Sequence, residues 1–170
     1  MHVLVATDGT INIDLAAEFA FALAGEGGAT TVATIIHIPR QLLPELRAQW
    51  GDPSPVHIDS DAEYVGVPPA TGTVARGWPG DDAMIDQYLG NKRDENCGPI
   101  TEAIRRLGGT AESLAREGVD TTEGIMAVAA EFEAGAIVVG AHGRGAFQGL
   151  LGSTGSKLVR RAERPVVVLR

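Results

Sequence analysis

A single cysteine, Cys97, stands among 170 residues. That excludes an intrachain disulfide framework and any zinc or iron–sulfur site built on a cysteine cluster, and it fits a reducing cytoplasm as the expected location. Long apolar runs are also missing. Nothing approaches the roughly 20 residues needed to span a bilayer, so no membrane association is expected. The apolar run at the N-terminus, Val3-Leu4-Val5-Ala6, stops after four residues at Thr7-Asp8. With no basic stretch before it, this run reads as a strand and not a signal peptide. The four histidines, His2, His37, His57 and His142, are scattered without metal-ligand spacing, so no protein-held metal site is expected. Aromatic side chains make up only 5% of the chain, yet the 44% hydrophobic content suits one compact domain that could bury roughly 70% of its unfolded surface.

What is present is distributed unevenly. The net charge is −8, but residues 140–170 carry Arg144, Lys157, Arg160, Arg161, Arg164 and Arg170 against the single acid Glu163, leaving the remainder strongly acidic. An acidic surface repels a nucleic-acid backbone, whereas a local basic segment can still hold a compact anion. Nucleic acid is therefore not an expected partner. The same arginines also suit the solvated face of a terminal helix.

The first forty residues read as a β-α-β unit. Val3 to Ala6 forms a strand, Leu15, Ala16, Phe19, Ala20 and Leu23 recur at helical spacing, and Thr30 to Ile38 is β-branched and apolar. The last third alternates again: a helix over 125–132, a strand over 136–139, a helix over 153–162 and a strand over 165–169. Short Val/Ile runs alternating with helices predict an α/β fold, a parallel sheet covered by helices on both faces. Residues 39–99 hold eight of the nine prolines and all four Trp and Tyr residues, which predicts an insertion that is mostly loop. A helix is expected over 101–117, bent or split at Gly108-Gly109.

The segment with the most chemistry is Val139-Gly140-Ala141-His142-Gly143-Arg144-Gly145, followed by Gly149, Gly152-Ser153-Thr154-Gly155 and a helix. Glycines leaving a strand let backbone N–H groups turn toward an anion, and a helix start adds further N–H groups and the positive end of its dipole. Ser153 and Thr154 can add hydroxyl donors, and Arg144 or Lys157 can add charge. This is a candidate phosphate cradle. It is not a Walker A loop, because Ser156 separates Gly155 from Lys157, and no G-x-G-x-x-G follows the first strand. At the end of that strand, Ala6-Thr7-Asp8-Gly9-Thr10 offers a carboxylate that can contact a ribose or base, or cap the next helix. In an open parallel sheet, ligands bind outside the carboxyl ends of strands where the order reverses, which would bring Asp8 beside the Gly140 turn.

Together these motifs resemble the universal stress proteins. The likeness rests on a short strand ending in D-G-T (Val3 to Thr10), a second strand ending in Ile35-Ile36-His37-Ile38, and a closing segment from Ile137 to Leu169 with G-x-x-G, a spacer, G-S, a helix and a valine strand. It covers about residues 1–39 and 100–170. The resemblance implies one domain over residues 1–170, built on a five-stranded parallel sheet in the order 3-2-1-4-5, with an insertion at 39–98. It also implies an adenine nucleotide, ATP in particular with ADP or AMP as alternatives, sometimes with magnesium or manganese on the phosphates. The implied contacts are Ala6, Thr7 and Asp8, then Ile38, then Val139, Gly140, Gly143, Gly152, Ser153 and Thr154, with His142 and Arg144 in the same turn. A homodimer through the terminal strand and a role as a stress sensor or regulator rather than an enzyme follow from the same resemblance. Three features depart from the family pattern. The spacer from Arg144 to Leu151 is eight residues instead of nine, the usual third strand is reduced to Val119–Gly124 and so expected to be short or replaced, and the insertion is long. Two other readings follow from those departures: a dimeric interaction module that binds no nucleotide, and a slow nucleotide hydrolase using Asp59, Asp61 or Asp81 of the insertion.

Overall fold

A computed structural model describes residues 1–38, 81–141 and 152–170. The chain divides into two compact units, one comprising Met1–Ile38 with Asp86–Arg170 and the other Pro39–Ile85. The first unit is built on strands β1 (His2–Ala6), β2 (Ala29–Ile36), β3 (Thr110–Glu117), β4 (Ala136–Gly140) and β5 (Val166–Leu169). The described strands form one five-stranded sheet in the order β3-β2-β1-β4-β5, with every pairing parallel. The described helices are α1 (Ile13–Ala24), α2 (Asp81–Asn96), α3 (Gly98–Arg106), α4 (Thr121–Glu131) and α5 (Ser153–Arg161).

Alternation along the central strands sorts their side chains into two cores. Val3 and Val5 of β1, Val32 of β2 and Val138 of β4 pack with Ala16, Ala17 and Ala20 of α1 and Ile100 and Ile104 of α3. Leu4 and Ala6, Ala33, Ile137 and Val139 point the other way, against Ile125, Val128 and Ala129 of α4 and Leu158 of α5. Burial on both faces explains why these strands read as continuous apolar runs.

Two expectations are corrected. The helix expected over 101–117 ends at Arg106, and Thr110–Glu117 is instead a full eight-residue strand. Gly108 takes φ +89°, a left-handed value that stops the helix and turns the chain back toward the sheet. Ala, Leu, Glu and Arg in this stretch favour helix intrinsically, but eight register positions against β2, from Ala29↔Thr110 to Ile36↔Glu117, override that preference. The third strand is therefore neither short nor replaced; it lies upstream of Val119–Gly124. Val119 is exposed, Asp120 caps α4, and Thr121 begins it. The expectation of an insertion that is mostly loop falls chiefly on residues 39–80, which lie outside the described residues; the second correction concerns its described end. Asp81–Asn96 is helical, beginning two residues after Pro79 and rich in good helix formers such as Met84, Gln87, Leu89, Lys92 and Arg93.

Candidate functional site

β1 and β4 lie side by side with Ala6 opposite Val139, and the chain order reverses between them. This is the crevice position of an open α/β sheet. Thr7 extends β1 by one bond, its amide donating to the Ala33 carbonyl at 2.9 Å, before the chain turns out through Asp8. That turn is tied internally: the Thr10 amide and hydroxyl both donate to Asp8 Oδ1, at 3.1 and 2.6 Å, and the Gly9 amide donates to Thr7 Oγ1 at 2.9 Å. Gly9 takes φ +87°. A Cβ there would lie 2.7 Å from Asn96 Oδ1, so the position excludes a side chain on conformational and steric grounds alike.

The helix cap is supplied by Asn12 and not by Asp8. Asn12 Oδ1 accepts the Leu15 amide at 2.9 Å. Asp8 is exposed and sits before the helix, at the mouth of the crevice.

On the β4 side, the Ala141 amide donates to the Leu169 carbonyl at 2.7 Å, and the Gly152 amide donates to the Ala141 carbonyl at 2.9 Å. The second bond seats the start of α5 against the end of β4. Gly152 is the N-cap and makes no side-chain cap bond, and the first turn of α5 holds no acidic residue. By helix geometry the amides of Ser153, Thr154 and Gly155 have no intrahelical acceptor, so this end carries concentrated positive potential. The neighbouring helix is the useful contrast. At the start of α4, Asp120 Oδ1 accepts the Thr122 and Glu123 amides at 2.7 and 3.2 Å. Those amides, the Glu123 amide foremost, with help from Lys157, hold the Asp120 carboxyl below its ordinary range. One helix start is thus filled by the protein's own carboxylate, while among the described residues no carboxylate caps the other.

The predicted residues fall into three groups. Ala6 and Val139-Gly140 end the paired strands β1 and β4, Thr7-Asp8 follow β1, and the Gly152–Ala141 bond puts Gly152-Ser153-Thr154 at the end of β4. Ala6 and Val139 are 5% and 4% exposed and belong to the α4/α5 core, so only their backbone can face a ligand. Ile38 follows β2 by two residues and is buried. His142, Gly143 and Arg144 lie outside the described residues, as do Asp59 and Asp61; Asp81 opens α2. Two of the basic side chains are engaged elsewhere: Lys157 Nζ stands 3.6 Å from Asp120 Oδ2, and Arg161 pairs with Glu123. Part of the C-terminal positive charge therefore ties α5 to α4. Asn96 is the residue that sequence reasoning missed. Its Nδ2 donates to Thr34 Oγ1 at 3.1 Å while its buried Oδ1 faces Gly9 without a hydrogen-bond partner. No local motif announces it, because it comes from a helix end distant in sequence. Among the described residues, no group of three or more His, Cys, Asp or Glu could hold a metal ion, and no helix is long and apolar enough to cross a membrane.

The Universal stress protein family profile matches residues 1–170. No curated protein matches in a direct sequence comparison. Solved structures do. A universal stress protein from Archaeoglobus fulgidus aligns with TM-score 0.61 at 18% identity, covering 100% of this chain and 93% of that one. The universal stress protein from Archaeoglobus fulgidus in complex with dAMP aligns with TM-score 0.59 at 17% identity, covering 100% and 98%. A universal stress protein in complex with cAMP aligns with TM-score 0.50 at 18% identity, covering 100% and 96%.

Proposed function

The chain belongs to the universal stress protein family, and from that premise we propose that it binds an adenine nucleotide, ATP in particular, between the Asp8 turn and the start of α5, and acts as a sensor or regulator. The observation that carries this reading is the start of α5: an N-terminus with no cap carboxylate among the described residues, held by the Gly152–Ala141 bond at the end of β4, the strand paired with the one that leads into Asp8. Relatives of the same fold were solved with dAMP and with cAMP, which share adenine, the sugar ring and a phosphate on the 5′ oxygen; that portion is the recognition unit this reading takes over.

In this reading each residue has a defined job. The exposed Asp8 carboxylate accepts ribose hydroxyls. The backbone of Ala6, Thr7, Val139 and Gly140 and the side chain of Ile38 line the base. The amides of Ser153 and Thr154, with their hydroxyls, take phosphate oxygens, joined by the glycine turn of Gly140, His142, Gly143 and Arg144. A magnesium or manganese ion would travel with the nucleotide, since its oxygen ligands are the phosphates themselves. It would neutralise phosphate charge.

Asp8 Oδ1 is committed to Thr10, an arrangement that suits holding hydroxyls and not removing a proton from water. Any hydrolysis is accordingly expected to be slow. The domain assignment is one universal-stress-type domain over residues 1–170, interrupted by the insertion at 39–98. The working location is the cytoplasm, and the expected assembly is a homodimer through β5. Of the two sheet edges, β3 carries Glu112 and Arg116, whereas β5 is Val-Val-Val-Leu, half-buried and uncharged. Edges of the latter kind are the ones that pair.

Purified protein denatured with acid should release an adenine nucleotide identifiable by mass spectrometry. Protein that releases none, and takes up none on incubation with ATP, ADP or AMP, would leave the interaction-module reading in its place.

A further inference from the structure

The turn that presents Asp8 is tied within itself by the bonds from Thr10 to Asp8 and from Gly9 to Thr7. It therefore keeps its shape, and the place of its carboxylate depends on what holds the turn to the body of the fold. One end is held to β2, where the Thr7 amide donates to the Ala33 carbonyl. At Gly9 the turn rests on Asn96. A Cβ on Gly9 would lie 2.7 Å from Asn96 Oδ1, 3.4 Å from its Cγ and 3.7 Å from its Cα, so the bare α-carbon of glycine is what admits so close an approach.

Asn96 is itself fixed. Its Nδ2 donates at 3.1 Å to Thr34 Oγ1, on the β2 residue that follows Ala33. Its backbone sits at the junction of α2 and α3, where the Cys97 amide donates to the Arg93 carbonyl at 2.8 Å and the Cys97 carbonyl accepts the Thr101 amide at 3.0 Å. Gly9, Thr34 and Asn96 all belong to the first compact unit. Asn96 is 6% exposed, and its buried Oδ1 has no hydrogen-bond partner. Unpaired buried polar atoms are destabilising and rare, so a side chain that only filled this space would be better apolar. What the amide adds is orientation: its bond to Thr34 locks the side chain on β2 with its other end against Gly9.

We propose that Asn96 is a positioning residue of the nucleotide site, a role that rests on the nucleotide reading above. It holds the Asp8 turn against β2 so that the carboxylate meets the ribose hydroxyls. Asn96 does not touch the ligand; it acts through Gly9 on Asp8, as packed and hydrogen-bonded supporting residues do where a site must be held within about 0.5 Å.

The test is calorimetric titration of the full chain with ATP and with 2′,3′-dideoxy-ATP, which lacks both ribose hydroxyls, on variants whose urea midpoints show them folded. The parent should prefer ATP by at least about tenfold. Asn96→Ala should cut that preference at least about threefold and leave the affinity for the dideoxy compound within about twofold of the parent. A residue that merely supported the fold would weaken both nucleotides alike. In Asp8→Ala no carboxylate is left to place, so adding Asn96→Ala should change ATP affinity by less than about twofold. Thr34→Val keeps the shape of β2 and removes the hydroxyl that orients the amide; it should lower the preference in the same direction, and it decides the matter if Asn96→Ala does not fold. Equal weakening of the two nucleotides, an unchanged preference in the folded variants, or the full Asn96→Ala effect surviving in Asp8→Ala would overturn the positioning role and leave nucleotide binding standing. A parent chain that binds neither nucleotide would remove the nucleotide reading, and this role with it.

Discussion

Gly9 shows how one position can carry both the shape and the chemistry of the crevice. Its φ of +87° is left-handed, and a methyl group there would lie only 2.7 Å from Asn96 Oδ1. Gly9→Ala should therefore destabilise the fold by about 1–3 kcal/mol, read as a lower urea midpoint with unchanged slope. The Asp8-Gly9-Thr10 signature was legible in the sequence; its dependence on Asn96 was not, because a contact between a strand end and a distant helix leaves no local pattern. Cys97 is legible only in part. Its isolation excluded a cluster, but its burial came from the fold: it is 0% exposed, and burial pushes the thiol up to about 12. In the unfolded chain it would ionise near its ordinary value of 9.0. A raised folded pKa means the unfolded state loses its proton first, so this contribution to stability is intact below pH 9 and declines as pH rises toward 12. A thiol reagent such as Ellman's should leave native protein unlabelled at pH 8 and react fully once urea unfolds it; rapid labelling of the native state would contradict the burial.

Among the elements, β3 is where local preference and tertiary context part. Thr110–Glu117 has helical composition, yet the left-handed Gly108 and the full ladder to β2 make it a strand. β1, β4 and β5 were readable because burial on both faces, or half-burial for β5, writes itself as apolar runs. An edge strand lined with Glu112 and Arg116 writes no such run. The helices α4 and α5 differ at their starts in a way that can be measured. Asp120 caps α4 through two amides, while its contact with Lys157 is between exposed side chains. Asp120→Ala, which removes the cap as well as the ion pair, should lower the urea midpoint clearly more than Lys157→Ala, which removes only an exposed ion pair, in paired denaturation curves. Equal losses would mean the ion pair and not the cap secures the helix. Because the Asp120 carboxyl is held below its ordinary pKa, its contribution is present at neutral pH and is lost as pH falls below that range.

For the whole molecule, the sheet order 3-2-1-4-5 dictates where a ligand can sit. It reverses at β1 and β4, and the Asp8 turn and the start of α5 leave from the same edge there. The alternation of short apolar runs and helices announced a parallel sheet; the order came from the resemblance to a family and matches the pairing found. The terminal positive charge read differently once folded, because Lys157 and Arg161 turn toward α4, so the proposed phosphate grip rests on the backbone amides at the start of α5. The central claim is that this crevice holds an adenine nucleotide, and calorimetric titration of ATP, ADP and AMP in magnesium buffer, on the parent chain and on Asp8→Ala, tests it most directly. The account predicts saturable one-site binding by the parent and a loss of at least about tenfold in Asp8→Ala, the size of one hydrogen bond to a charged group. No heat with any of the three nucleotides, or equal affinity in Asp8→Ala, would contradict it.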